Sequence, residues 1–170
     1  MVDISEQQGL DAVKAAKAWV GTKYKMIGGA SKNQIYADCS GSMAGVFNDI
    51  GLPFKYFSTK QTGSEEFKKY YRQLTADDAP RAGDIVIWPD YHEVMYDPNA
   101  SAKDPWGHPA DAWGAFGAHV RMGGVEKNVA FGPTAVKHTL KKHKHSYYRR
   151  QVDDSDVDIP TIKLQCIKCH

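Results

Sequence analysis

Long apolar runs are missing from this sequence, and so is any strong excess of charge of one sign. No stretch approaches the roughly 20 consecutive apolar residues that a membrane-spanning helix needs, so stable membrane insertion is not expected. Lys and Arg number 22 against 20 Asp and Glu, a formal net charge of +2. That balance gives no reason to expect nucleic acid as a partner. Cysteine is scarce: Cys39, Cys166 and Cys169 are an odd three, two of them at the far end of the chain. This excludes the disulfide framework of a small secreted domain. The opening stretch "MVDISEQQGLDAVKAAKAWVG" has no basic start, apolar core or small-residue cleavage site, so the expectation is a chain made in the cytoplasm without a signal peptide.

What is there suits one domain. The chain has 170 residues, 42% of them hydrophobic, enough for one buried core and short for two. A single domain is expected over 1–152, with 153–170 as a tail or an added strand. No internal repeat is visible. Ser5 and Gln8 have capping-box spacing, and Leu10, Val13, Ala16 and Val20, with Ala12 and Trp19, form an apolar stripe ending at Gly21. A second helix is predicted from Met43, Val46, Phe47 and Ile50, opening at Cys39 and stopped by Gly51 and Pro53. A third is predicted in "SEEFKKYYRQL" from Ser64, where serine caps and two glutamates suit the positive end of the dipole.

The texture then changes to short β-branched or aromatic runs between Gly, Pro, Asn and Asp: "GDIVIW" (83–88), "HEVMY" (92–96), "HVRM" (119–122), "NVAF" (128–131) and "HSYYRR" (145–150). The fold class expected is α+β, helices packed on one face of an antiparallel sheet of about five or six strands. The stretch "DPNASAKDPWGHPADA" (97–112) reads as a long loop, with Trp106 within it and Trp113 just after it.

Cys39 precedes the apolar pattern of its helix rather than lying inside it. A thiolate is the reactive form of cysteine, and a helix N-terminus favours negative charge, so a lowered thiol pKa is the expectation. A nucleophile also needs a base and oxyanion donors. His92, opening the strand after "GDIVIW", is the base candidate. A bland reading stands beside each: Cys39 as a small buried hydrophobe, His92 as a half-exposed strand residue, Tyr24 as core packing.

"VGTKYKMIGG", "ADCSGSM", "RAGDIVIW" and "HEVMYD", in that order, resemble the NlpC-type cell-wall cysteine peptidases, a papain-like family; the match spans roughly residues 20–96, and "SYYRR" is similar to the family's closing strand. The resemblance implies hydrolysis of an amide in peptidoglycan stem peptides, commonly between D-glutamate and diaminopimelate, by an acyl-enzyme route without metal or other cofactor. It implies Cys39 as nucleophile and His92 as general base, Tyr24 near the oxyanion, and Asp38 and Ser40 along the substrate groove. The sequence departs from the family at the third catalytic position. There "DAWGAFGAH" aligns Gly114 with a polar residue, leaving His119 as first candidate and Asp111 as second.

With no signal peptide expected, the chain resembles small amidase effectors delivered into a competitor's periplasm by a type VI secretion apparatus, with a cognate immunity protein guarding the producer. A phage tail or lysis enzyme is the nearest alternative. A wall-binding module without its third catalytic residue, or a Cys-His enzyme acting on a different amide, are readings from other classes. "CIKCH" (166–170) fits a haem-attachment pattern and half a zinc site, and equally a reduced, exposed tail. The basic run "KHTLKKHKHSYYRR" (137–150) is expected to be a solvated face, with contact to anionic glycan or lipid as the alternative.

Overall fold

In the computed structural model of the chain, the described residues are 1–25, 36–99, 115–118, 131–134, 136 and 142–156. Helix α1 (Glu6–Ala18) begins where the capping box places it: Ser5 Oγ accepts the Gln8 N–H at 3.1 Å, and Gln8 Oε1 accepts the Ser5 N–H at 2.8 Å. Its buried face is Gln8, Gly9, Ala12, Val13 and Ala16, continued by Trp19. Leu10 and Val20, expected in the apolar stripe, are instead 49% exposed.

Helix α2 (Cys39–Asp49) buries Met43, Val46 and Phe47. It is joined to α1 by the Trp19 indole, whose Nε1–H donates to Asp49 Oδ2 at 2.7 Å. The same ring lies over Gly45, where a Cβ would fall 2.3 Å from it, so α1 and α2 approach this closely only because position 45 carries no side chain. Gly51, at φ +86°, then turns the chain out of the helix.

The third helix is much shorter than predicted. Helix α3 is Glu65–Lys68, and the residues that follow leave it to form strand β4 (Tyr71–Gln73). Tertiary partners override helix propensity here. The Tyr71 ring stacks on Phe67 at 4.9 Å and meets Phe47 and Phe57 at 6.3 Å, while the Arg72 guanidinium pairs with both Asp3 and Asp78.

The sheet is antiparallel throughout and has seven strands among the described residues. Besides β4 these are β1 (Val2–Asp3), β5 (Ile85–Trp88), β6 (His92–Tyr96), β7 (Ala115–Ala118), β8 (Phe131–Thr134) and β9 (Ser146–Val152); β2 (Lys23–Tyr24) and β3 (Tyr36–Ala37) form a separate parallel pair. The main path runs β1-β9-β5-β6-β7-β8, with β4 also paired to β9. The protein is therefore of mixed α/β type with an antiparallel sheet, and the strands beyond the expected five or six include the short additions β1 and β4.

Strand alternation separates two apolar clusters. Ile85, Ile87 and Met95 pack with α1, α2 and Phe67, whereas Val86, Trp88, Val94 and Ala115 pack together on the opposite face. Strand β6 has the predicted bounds. The predicted strand 119–122 lies outside the described residues; of 128–131 only Phe131 is described, as the start of β8. Strand β7 was not foreseen.

The end of the basic run is not a solvated face. Arg149 and Arg150 are both buried in β9. Arg149 makes a two-pronged ion pair with buried Asp84, Nε to Oδ1 at 2.8 Å and Nη2 to Oδ2 at 2.9 Å. Such a fork satisfies both charges in a way a single contact does not. Arg150 lies over the rings of Tyr70 and Tyr71 at 5.3 and 5.4 Å and donates from Nη2 to the Pro53 carbonyl at 2.9 Å.

Candidate active site

Cys39 is the first residue of α2 and is half-buried. The residue before it caps the helix: Asp38 Oδ1 accepts the Gly41 N–H at 2.6 Å and the Ser40 hydroxyl at 3.3 Å. Asp38 and Ser40 are both buried. The short parallel pair aligns Tyr24 with Ala37, one residue ahead of the cap, and so carries the Tyr24 phenol to the helix start. Its hydroxyl pKa is pushed up to about 12, first by burial and then by the charges of Cys39 and Asp38. From the loop after α2, the hydroxyl of Tyr56 hydrogen-bonds with that of Ser40.

Against this helix start lies the head of β6. The backbone N–H groups of Glu93 and Ser40 both point at the Cys39 thiol. The first of these belongs to the peptide joining His92 to Glu93, so the thiol is seated on the backbone next to the predicted base. The two side chains at that peptide diverge. Glu93 pairs across the sheet with Ile87 and faces α2. It packs with Ser40, Lys55, Phe57 and Tyr71 around a gap too small to admit a water molecule. The imidazole of His92 is opposite Trp88 in register and stacks on its indole at 5.9 Å.

The electrostatics run against the expectation of a lowered thiol pKa. Burial, the Glu93 carboxylate and then Asp38 push the thiol up to about 12, while the two N–H groups only partly offset this. The helix terminus contributes its partial positive charge, but Asp38 opposes it, and so does Glu93 once it has ionised above about 8, well before the thiol does. Burial likewise pushes the Glu93 carboxyl up to about 8, with Asp38 adding to the rise, and holds the His92 imidazole down at about 4. At neutral pH the thiol, the imidazole and the Glu93 carboxyl are all predominantly uncharged.

Tyr24, Asp38, Cys39 and Ser40 are thus brought together, and the main chain of His92 joins them. His119 and Asp111, the candidates for a third catalytic residue, lie outside the described residues, as do Gly114, Trp106, Trp113, Cys166 and Cys169. Two contributors were not singled out from the sequence. Tyr56 carries no local signal. Glu93 does: it is a carboxylate at an inward position of an otherwise apolar strand. Among the described residues no group of three or more His, Cys, Asp or Glu side chains could hold a metal ion, and no helix is long and apolar enough to cross a membrane. No protein-family model matches the chain, and no curated protein does.

The two shifted groups predict a pH dependence of stability. Glu93 titrates at about 8 in the folded protein against 4.5 ordinarily. Between those values the folded state holds a proton that the unfolded state has lost, so stability falls as pH rises, by at most about 1.4 kcal/mol per pH unit. His92, at about 4 against 6.5 ordinarily, adds stability as pH rises between those values and only about 0.4 kcal/mol above them. From pH 6.5 to 8 the Glu93 effect therefore outweighs that of His92. Urea denaturation should show the wild type losing roughly 1 kcal/mol over that interval, and Glu93→Gln losing less than half as much. Equal losses in the two proteins would contradict the assignment.

Proposed function

We propose that the chain is a cysteine hydrolase with a papain-like, NlpC-type fold that cleaves an amide in peptidoglycan stem peptides, between D-glutamate and diaminopimelate. The observation that carries this reading is the seating of Cys39. It opens a capped helix, with Asp38, Ser40 and Tyr24 around it and its thiol against the peptide that follows His92. These are the residues on which the resemblance to the family rests, and they converge although they come from β2, the start of α2 and β6.

In the proposed reaction the thiol and imidazole start neutral. As Cys39 Sγ attacks the carbonyl carbon, its proton passes to His92, a step that needs the head of β6 to rearrange, because the imidazole stacks on Trp88 on the face of the sheet away from α2. The carbonyl π pair moves onto oxygen, where the Cys39 N–H at the helix start and the Tyr24 hydroxyl act as donors. Collapse expels the amine, which takes the proton from His92. Water then hydrolyses the thioester by the same sequence. No metal or cofactor enters. His119 or Asp111 would orient the imidazole.

A second reading has one observation in its favour. A thiol held at about 12 and an imidazole stacked on Trp88 also suit a module that grips wall peptide without cleaving it. Digestion of purified Gram-negative peptidoglycan, followed by mass spectrometry of the muropeptides, separates the two. The hydrolase reading predicts new stem-peptide fragments with the wild type and at least a 1,000-fold loss in both Cys39→Ala and His92→Ala. Sacculi that are bound but unchanged would favour the module, and neither binding nor cleavage would redirect the search to a non-wall amide.

The wall lies beyond the cytoplasmic membrane, and we propose that this enzyme reaches it as an antibacterial effector delivered by type VI secretion and neutralised at home by an immunity protein. The support is the resemblance to compact amidase effectors. Expression directed to the periplasm of a Gram-negative host should be toxic in a Cys39-dependent way, and cytoplasmic expression harmless; equal harmlessness in both compartments would count against delivery.

A further inference from the structure

Strand β6 alternates as an apolar strand should, except at one inward position. Ile87, the cross-strand partner of Glu93, and Met95, two residues on, both belong to the helix-side core, yet between them stands a buried carboxyl. An unpaired charge at such a place is costly. Among the described residues the charge acting on Glu93 is not a cation but the second negative one of Asp38. Two carboxylates sharing a site cannot both ionise cheaply, so one of them remains an acid. Asp38 is the one fixed as an acceptor, by the Gly41 N–H and the Ser40 hydroxyl. Glu93 is left as the protonated partner, packed beside Ser40 in a gap that excludes water, while its own N–H meets the Cys39 thiol.

We propose that Glu93 is a further catalytic residue of this site, a neutral carboxylic acid that donates a hydrogen bond to the negative charge developing on the scissile carbonyl oxygen as Cys39 attacks. The assignment rests on the reading of Cys39 as an acylating nucleophile. Glu93 transfers nothing. The thiol proton goes to His92, the S–C bond forms, the carbonyl π pair moves onto oxygen, and that oxygen accepts from the Glu93 O–H. When the pair returns to re-form the carbonyl, the C–N bond breaks, His92 protonates the amine and Glu93 still holds its proton. A preformed donor in a dry site is worth more than the same donor in water.

Ionisation of Glu93 would remove that donor and add a negative charge beside the thiol, so the rate should fall as pH rises through about 8. Most thiol nucleophiles gain rate over the same range as they ionise. The groups facing Glu93 are Asp38 and Cys39 from the start of α2, Lys55 and Tyr56 from the loop after it and Tyr71 from β4, with Arg150 of β9 reached through Tyr71 and Tyr24 of β2 beyond Cys39 and Asp38. Cys39 and Tyr24 are pushed up to about 12, the Tyr56 and Tyr71 hydroxyls are raised, and His92, on the same strand, is down at about 4. Among the groups with shifted pKa values, Glu93 is the one placed to titrate near 8.

The test follows two reactions from pH 6 to 10 with the wild type, Glu93→Gln and Glu93→Ala, subtracting Cys39→Ala throughout: muropeptide release from peptidoglycan, and acylation by p-nitrophenyl acetate. Wild-type kcat should fall about tenfold per pH unit above 8. Glu93→Gln, whose amide donates at every pH, should stay within tenfold of wild type at pH 7 and lose that fall. Glu93→Ala should drop about 100-fold in kcat with KM changed less than threefold, while a circular-dichroism melt reports whether it is folded. If the ester shows this pattern and the wall is untouched, Glu93 keeps its role and the wall substrate is wrong. A high-pH fall that persists in Glu93→Gln, wild-type kcat in folded Glu93→Ala, or no Cys39-dependent reaction with either substrate would overturn the proposal.

Discussion

Everything at the candidate site depends on the seating of one helix start against one strand. Asp38 caps α2 through the Gly41 N–H at 2.6 Å, which fixes where the helix begins and leaves the Cys39 thiol facing the first peptide of β6. The seat is held from behind by packing. Trp19 closes over Gly45 and hydrogen-bonds Asp49, and Met43, Val46 and Phe47 press into Ile85, Ile87 and Met95. Truncating a side chain in such a core costs about 2–5 kcal/mol. The sheet is anchored in turn by the Asp84–Arg149 fork, which ties the turn before β5 to β9.

The same packing sets the chemistry. A helix N-terminus in water lowers a thiol pKa, yet here the terminus is buried beside two carboxylates, and desolvation with like charge outweighs the dipole. The outcome is a site at rest in its uncharged form, with thiol and carboxylic acid on the α2 side of β6 and the imidazole against Trp88 on the other. Burying three neutral groups costs far less than burying a thiolate and an imidazolium. The arrangement resembles hydroxyl nucleophiles, which stay protonated until a base takes the proton during attack.

Much of this was legible in the residues. The capping box at Ser5, the Gly51 stop and the alternating "HEVMY" fixed α1, α2 and β6 closely, because each signal is local. The long helix expected from Ser64 failed where non-local partners intervened: Tyr71 is drawn into an aromatic cluster and Arg72 into ion pairs with Asp3 and Asp78, contacts that no local window contains. Leu10 and Val20 completed a helical stripe on paper, but the buried face is set by where α2 and the sheet lie. At the site, Cys39, Asp38, Ser40 and Tyr24 were readable as a group. The direction of the thiol shift was not, since it depends on Glu93 arriving from another element. The misplaced carboxylate in "HEVMY" was nevertheless in plain sight.

The account stands or falls on a covalent bond to Cys39. Incubation with the stem peptide L-alanyl-γ-D-glutamyl-diaminopimelate, acid quenching within the first turnovers and intact-protein mass spectrometry would detect the acyl-enzyme directly. The predicted result is a mass increase equal to the L-alanyl-D-glutamyl fragment, mapped by peptide digestion to Cys39 and abolished in Cys39→Ala. Turnover without an adduct, or an adduct on any other residue, would contradict it.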